Sequence, residues 1–508
     1  MQPDLVIGID SSTTATKAIA WDRSGRALAE GRAAIAMSNP HPGHFEQEPE
    51  DWWRSTVEAL AAVTAQIEPQ RIAAIGISNQ RETFGTFRAD GTSLRPGTLW
   101  LDERARPQER AFGASFGAER VHDLSGKPLD VIPCLYRMIW LREHEPEIFA
   151  QTEKIAEVHG YLAFRLTGRW ATSTASADPM GVLDMRSLDW SEAILAAAGV
   201  PRALMLDLVR PGAIIGEVSE AAGAATGLRP GTPVVAGGGD GQCAGTGIDL
   251  FVPGRAYVNI GTAVVSGSYG AAYAHHRAFR TMSAIADEGY VYETCLRSGT
   301  FLVEWLMREM FQADARRERE LFATLEKEAA QSPIGAGGVV VVPYWQGCMM
   351  PHWESGARGV IAGLSGSTRR GDLYRALLEG IALEQAHSTA LAVTGSGQPI
   401  DHYVAMGGGA SSDLWAQILA DASGRPVLRS ATVEASSLGA AMAAAHGAGW
   451  FGSVTQASKA MASRPVRTFE PIAANAARYR ELLALHADLW PALSAWQARL
   501  SAFTEAGQ

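Results

Sequence analysis

Apolar positions recur along this chain in short, β-branched runs that stop abruptly at polar or glycine-rich ends. Leu5-Val6-Ile7 and Ile9 make the first run, closed by Asp10 and followed by the hydroxyl residues Ser11 to Thr14. Ala15 to Trp21 runs back, so the pattern predicts a hairpin with a polar tip. A third strand is expected over Ala27 to Ala36. A helix is expected from the Glu50-Asp51 region to about Gln66, with acidic residues in its first turn. Arg71 to Ser78 reads as a buried strand that ends in Asn79-Gln80-Arg81-Glu82-Thr83. Between 105 and 230 the spacing is mainly helical. Leu135 to His144, Leu162 to Trp170 and Glu192 to Ala198 are expected to face a core, and Ala171 to Asp178 to line a cleft. Val234-Val235 then leads into three glycines and Asp240.

The second half repeats the first design. Ala256 to Gly270 is a strand, a Gly261-Thr262 turn and a returning strand. Two such hairpins so far apart suggest two related domains facing each other across a phosphate, by duplication. The division this suggests is residues 1–248 and 249–508. Val339 to Val342 is a further strand, and Leu373 to Gln385 a helix with an apolar stripe. Val404 to Met406 breaks at Gly407-Gly408-Gly409, before a helix capped by Ser411 or Ser412. Glu434 to Gly447 is a small-residue packing helix, and helices to about Ala502 form a solvent-facing layer.

The length of 508 residues exceeds one hydrophobic core. A net charge of −10 argues against a nucleic-acid partner. The four cysteines, Cys134, Cys243, Cys295 and Cys348, lack metal-ligand spacing and suggest reduced thiols in a cytoplasmic protein. The N-terminus has no signal-peptide pattern, and no apolar run is long enough to cross a membrane.

Four polar stretches carry the candidate chemistry. Asp240, cleared by glycines, suits a general base on a substrate hydroxyl; it equally suits the N-cap of a helix starting near Gly241. The tip of the first hairpin offers donors to a phosphate, with Lys17 adding charge and Asp10 placed for Mg²⁺; an ordinary Ser/Thr turn has the same pattern. A Walker-type loop is absent. Arg81 and Glu82, with Gln80, Trp100 and Asp102, could hold a polyhydroxy ligand, or Arg81-Glu82 could be a surface ion pair. Backbone amides at Gly407 to Gly409 suit a nucleotide.

Together these stretches resemble the FGGY family of carbohydrate kinases, over roughly residues 5 to 450 and in the family's order. IGIDSSTTATKAIAWD is similar to its first phosphate motif and YVNIGTAVV to its second. GGGDGQCAG resembles the segment with the catalytic Asp, MGGGASSDLWAQILAD the adenosine motif, and RGVIAGL with Leu378-Glu379 the C-terminal signature. The resemblance implies an α/β fold of two actin-like (ribonuclease H-like) domains flanking a catalytic cleft. It implies ATP and Mg²⁺, a small sugar or polyol as substrate, and Asp240 as the base. Asp10 would help hold Mg²⁺. Thr13, Thr14, Lys17, Gly261 and Thr262 would face phosphates, and Gly408, Gly409 and Ala410 the adenosine. No membrane partner is implied, and a homodimer is compatible.

The departures bear on the substrate. SNQRET resembles the glycerol kinase pocket, where an Arg-Glu pair grips the polyol, whereas bacterial xylulokinases usually have Met-His there. Yet Gly241 replaces the Gln of glycerol kinases, Val265 an aromatic residue and Ile132 a Tyr, and Tyr136-Arg137 replaces a Lys-bearing signature. Gly241 and Val265 are therefore expected to leave room for more than glycerol. The acceptor expected is then a pentulose or a four- to five-carbon polyol, with a pentulose such as xylulose favoured and a glycerol or tetritol/pentitol kinase as the alternative. A sugar-independent ATPase machine of the same superfold is the alternative of another class.

Overall fold

A computed structural model of the chain describes residues 3–313 and 317–505. Leu5–Ser11 (β1), Ala15–Asp22 (β2) and Ala27–Ala34 (β3) form an antiparallel meander. Helix Pro49–Thr64 (α1), with Pro49 in its first turn, leads to Ile72–Asn79 (β4), which lies parallel to β1. Pro233–Gly239 (β5) lies parallel to β4 and runs straight into Asp240–Gly247 (α2). The order across this sheet is β3-β2-β1-β4-β5, with Ile214–Glu217 added antiparallel at the edge. β1 and β4 are covered on both faces, which is why their runs are almost continuously apolar rather than alternating.

The second sheet has the same plan. Arg255–Ile260 (β6) and Val264–Gly270 (β7) form the predicted hairpin. Arg280–Ser283 (β8) pairs antiparallel with Tyr290–Leu296 (β9), which pairs antiparallel with β7. After helix Arg370–Ser396 (α3), strand His402–Met406 (β10) lies parallel to β6. Helix Asp413–Ser423 (α4) then leads to Val427–Arg429 (β11), parallel to β10. The order β9-β7-β6-β10-β11 reproduces β3-β2-β1-β4-β5 strand for strand and direction for direction. The repeat legible as two hairpins is thus a repeat of whole sheets.

Helix Ala435–Gly447 (α5) joins the halves. It packs on α2 and against β1 and β4 of the first sheet. The approach is backbone to backbone: a Cβ on Gly8 would lie 1.9 Å from the Ser437 carbonyl oxygen, and one on Gly76 2.0 Å from that of Ala440. A second junction is apolar, with Ala278, Phe279, Tyr290 and Tyr292 sharing one core with residues of the 105–205 region.

Several expectations shift. The helix expected from Leu162 spans Val158–Thr167, stopped by Gly168 at φ +77°. The stretch 171–178 does not line an open cleft. It is buried, and Asp178 pairs with Lys127 at 3.4 Å and accepts the Ser283 N–H. The C-terminal layer is one helix, Ala473–Glu505 (α6), and it is only partly solvent-facing, because Tyr479, His486, Trp490 and Gln497 are buried. Among the described residues no helix is long and apolar enough to cross a membrane.

Candidate active site

Asp240 stands where β5 becomes α2. The pairing of β5 with β4 loses register between Val235 and Gly238, which leaves Gly237 outside the ladder. Side chains satisfy it instead. Its N–H donates to His159 Nε2 at 3.3 Å, and its carbonyl accepts from Ser173 Oγ at 2.6 Å. A Cβ on Gly237 would lie 2.0 Å from the Ile77 carbonyl oxygen, so only glycine fits. This pinned bulge sets the direction in which the strand ends. Gly239 occupies the N-cap position, and Asp240 does not cap the helix. Its Oδ1 accepts the Gly241 N–H at 2.8 Å and meets Arg81 Nε at 2.9 Å, and its side chain is 42% exposed. The N-cap alternative is therefore set aside.

Behind Asp240 lies a buried ion network drawn from both sheets. Arg81 Nη1 donates to both oxygens of Glu293, at 3.1 and 2.8 Å. Arg280 Nε donates to Glu293 Oε1 at 2.7 Å, and its Nη1 to Glu82 Oε1 at 2.8 Å. Tyr257 donates its hydroxyl to Glu293 Oε2 at 2.8 Å. Burial pushes the Glu293 carboxyl up, but the two guanidinium groups outweigh burial and hold it at about 2. Glu82 is raised instead, because burial there outweighs Arg280 and Arg81. Glu82 has a left-handed backbone, φ +50°, and buried Arg137 holds it by donating to its carbonyl at 2.6 Å.

The two hairpin tips supply the other side. Asp10, at the end of β1, accepts from Ser78 Oγ at 2.9 Å. Burial, then the charge of Asp240, pushes its carboxyl up to about 6. Thr13 Oγ1 accepts from Trp100 Nε1 at 3.0 Å, and Thr14 is exposed. Lys17, opposite Asp10 in the β1–β2 register, donates to both oxygens of Glu434 at 2.6 Å. Thr262 is exposed and Gly261 partly so at the β6–β7 turn. At the third glycine site only Gly408 is exposed, and a Cβ there would meet nothing within 4 Å. Gly409 and Ala410 are buried, with Gly409 against Ile260 and Trp415, so those two shape the turn from behind instead of facing a ligand.

Comparison with known proteins agrees with this geometry. Residues 5–247 match the model of the FGGY family of carbohydrate kinases, N-terminal domain, and residues 243–448 that of the C-terminal domain. The chain belongs to the FGGY family of carbohydrate kinases. The Xylulose kinase of Bacillus subtilis (strain 168) is 30% identical over 492 residues, covering 96% of each chain. The Glycerol kinase of Methylorubrum extorquens (strain PA1) is 31% identical over 467 residues, 88% of this chain and 90% of that one. The crystal structure of xylulose kinase from Rhodospirillum rubrum superposes with a TM-score of 0.88 at 26% identity, covering 97% of this chain and 100% of that one. The protein is thus a carbohydrate kinase with the two-domain actin-like fold, a phosphotransferase of a family that uses ATP.

Within this kinase some expected ligands are buried and bonded to other protein groups. Gln80 is 1% exposed and donates to Gln47 at 2.9 Å. Asp102 is fully buried, its oxygens taken by Arg104 and by the N–H of Phe45. Arg81 and Glu82 are neither a surface pair nor paired with each other; each is held by a partner from the second sheet. The space beside Gly241 is also not open, because a Cβ there would lie 2.8 Å from Glu293 Oε2 and 3.1 Å from Arg81 Nη2. That glycine accommodates the ion pair rather than a longer sugar. Val265 faces Cys295 in register, and Cys295 adjoins the apolar group Ile132, Met349 and Met350. Glu293, Arg280 and Tyr257 were not anticipated. The signal for them was a lone acid inside the apolar strand YVYETCL.

Proposed function

We propose that this kinase transfers the γ-phosphoryl group of ATP to a hydroxyl of a small neutral sugar, a pentulose such as xylulose being favoured over glycerol, tetritols and pentitols. The observation that carries the reading is Asp240: it is half-exposed at a strand end while the carboxylates behind it are tied into ion pairs. Its contacts fall on Oδ1, so Oδ2 is assigned to the substrate hydroxyl. That oxygen takes the proton as the hydroxyl oxygen bonds to the γ-phosphorus and the bond to the β–γ bridging oxygen breaks, releasing ADP. Arg81 and Glu82 orient the acceptor, with Trp100 beside it. Thr13, Thr14, Lys17, Gly261 and Thr262 receive the phosphates, and Gly408 the adenosine. For Lys17 this means exchanging Glu434 for phosphate.

A divalent cation such as Mg²⁺ fits beside Asp10. Burial first, and the charge of Asp240 second, raise the Asp10 carboxyl to about 6, and a cation beside these two carboxylates and the phosphates would offset both effects. Among the described residues there is no cluster of three metal-ligating side chains, so the other ligands would be water and phosphate oxygens. The ion, when bound, supplies neutralisation of phosphate charge. The division near residue 248 into two cleft-forming halves belongs to the same reading, supported by family matches that meet at 243–247. ATP as co-substrate supports a cytoplasmic site of action.

The test is a coupled ADP-release assay with Mg-ATP against D-xylulose, D-ribulose, L-ribulose, L-xylulose, glycerol, erythritol, ribitol, xylitol and gluconate. Strong dependence on one pentulose is expected. ADP release that ignores every member, or glycerol turned over better than every pentulose, would overturn the proposal.

A further inference from the structure

Resting on the reading of Asp240 as the base, we infer that Glu293 is a positioning residue of the phosphoryl transfer, acting from the second domain through Arg81 on Asp240 and through Arg280 on Glu82. Its carboxylate is fully buried. Its two oxygens accept from Arg81, from Arg280 and from Tyr257, so no oxygen is left for a sugar hydroxyl. It therefore holds other groups and does not touch substrate.

What it holds is specific. The Arg81 guanidinium is gripped at Nη1 by Glu293 while Nε lies 2.9 Å from Asp240 Oδ1. Two anchors on a planar, rigid cation fix both its position and its plane. The base thus has one oxygen directed toward Arg81 and the other left for the acceptor. Arg280 is the register neighbour of Glu293 on β8 and turns its second edge to Glu82 Oε1 at 2.8 Å. A single carboxylate thereby orients both residues assigned to grip the sugar. Gly241 is the covalent counterpart of this arrangement, since any side chain following Asp240 would collide with Glu293 and Arg81.

The network also crosses the cleft. Asp240, Arg81 and Glu82 belong to the first sheet and its flanks, while Glu293, Arg280 and Tyr257 belong to the second. The orientation of the base is set only when the two sheets are in the relation seen here.

A double-mutant cycle between Glu293→Gln and Arg81→Gln tests this, with kcat, KM for sugar and ATP, and Tm measured for each protein. Glu293→Gln is expected to lower kcat 10- to 100-fold with the ATP KM within threefold, and Glu293→Asp to recover part of that loss. In the Arg81→Gln background the same substitution is expected to cost less than threefold more. Equal losses in both backgrounds, or a folded Glu293→Gln protein with kcat within threefold of the parent, would overturn the role. Should Glu293→Gln not fold, Tyr257→Phe removes one hydrogen bond from Glu293 and is put through the same cycle. A kcat loss confined to the Arg81 background supports the role, and an equal loss in both overturns it. Full activity in Asp240→Asn would overturn the base assignment itself. That outcome differs from an inactive Asp240→Asn with an additive cycle, which removes only Glu293.

Discussion

Two residues near the reacting centre make separable demands. Asp240→Asn keeps the shape and the bond to Arg81 but cannot take a proton. General-base catalysis contributes roughly 10²- to 10⁴-fold. We expect kcat to fall within that range while sugar affinity, measured by calorimetry, stays within a few-fold; full activity would remove Asp240 from the mechanism. His159 acts earlier, on the strand. A backbone N–H can only donate, so His159 Nε2 accepts from Gly237; Nδ1 then carries the hydrogen and faces Thr172 Oγ1 at 3.3 Å. Burial lowers His159 to about 3, so it stays neutral. The unfolded chain protonates this residue near its ordinary value of about 6.5, and the folded chain only near 3. Its contribution is therefore present above pH 6.5 and is lost as pH falls toward 3. The loss is about 1.4 kcal/mol per pH unit within that window. His159→Asn cannot gain this charge, and its stability should fall with acid by one proton less in urea titrations at pH 7, 6 and 5. Parallel curves for the two proteins would contradict a neutral, buried His159 in the folded chain.

At the scale of elements, glycines separate packing from binding. Gly76 on β4 lets the α5 backbone approach so closely that a methyl group has no space. Gly76→Ala should cost at least about 1–3 kcal/mol in urea unfolding. Gly408 is the converse. Gly408→Ala should leave Tm unchanged and raise the ATP KM by about tenfold, or about 1.4 kcal/mol of binding; a shifted Tm with unchanged KM would reverse its role. Elements of this kind were legible in the sequence wherever an apolar run met a polar or glycine stop, as at β1, β4 and the α4 N-cap Ser412. They were less legible where no stop exists. The α3 pattern reads as ending near Gln385, but the chain meets no left-handed stop until Gly397, at φ +68°, so the helix runs on to Ser396. Gly409 and Ala410 share a motif with Gly408, yet both are buried, and it is Ile260, distant in sequence, together with Trp415 of the same motif that closes over Gly409.

For the whole molecule the same limit applies to the ion network, because Arg81 and Glu293 are 212 positions apart and only the juxtaposed sheets bring them together. Local sequence shows that Arg81 and Glu82 are polar residues at a strand end; it does not show that their partners come from the other domain. Once assembled, the network has a consequence for substrate choice. Asp10, Glu82, Asp240 and Glu293 outnumber the guanidinium groups of Arg81 and Arg280, and Lys17 is matched by Glu434. A neutral sugar enters this site without adding charge. An aldonate brings a carboxylate into a region already rich in them, and like charges brought together in an interface cost several kcal/mol. At 1.4 kcal/mol per tenfold this is a discrimination of at least about 100-fold. The kcat/KM for the best pentulose should therefore exceed that for gluconate by that factor in the coupled assay at low ionic strength. Added salt should narrow the gap only slightly, because all but the half-exposed Asp240 of the network are buried and weakly screened. Gluconate turned over within tenfold of the best pentulose would show that the carboxylates are compensated by a cation at the acceptor side, and the neutral-acceptor reading would fail.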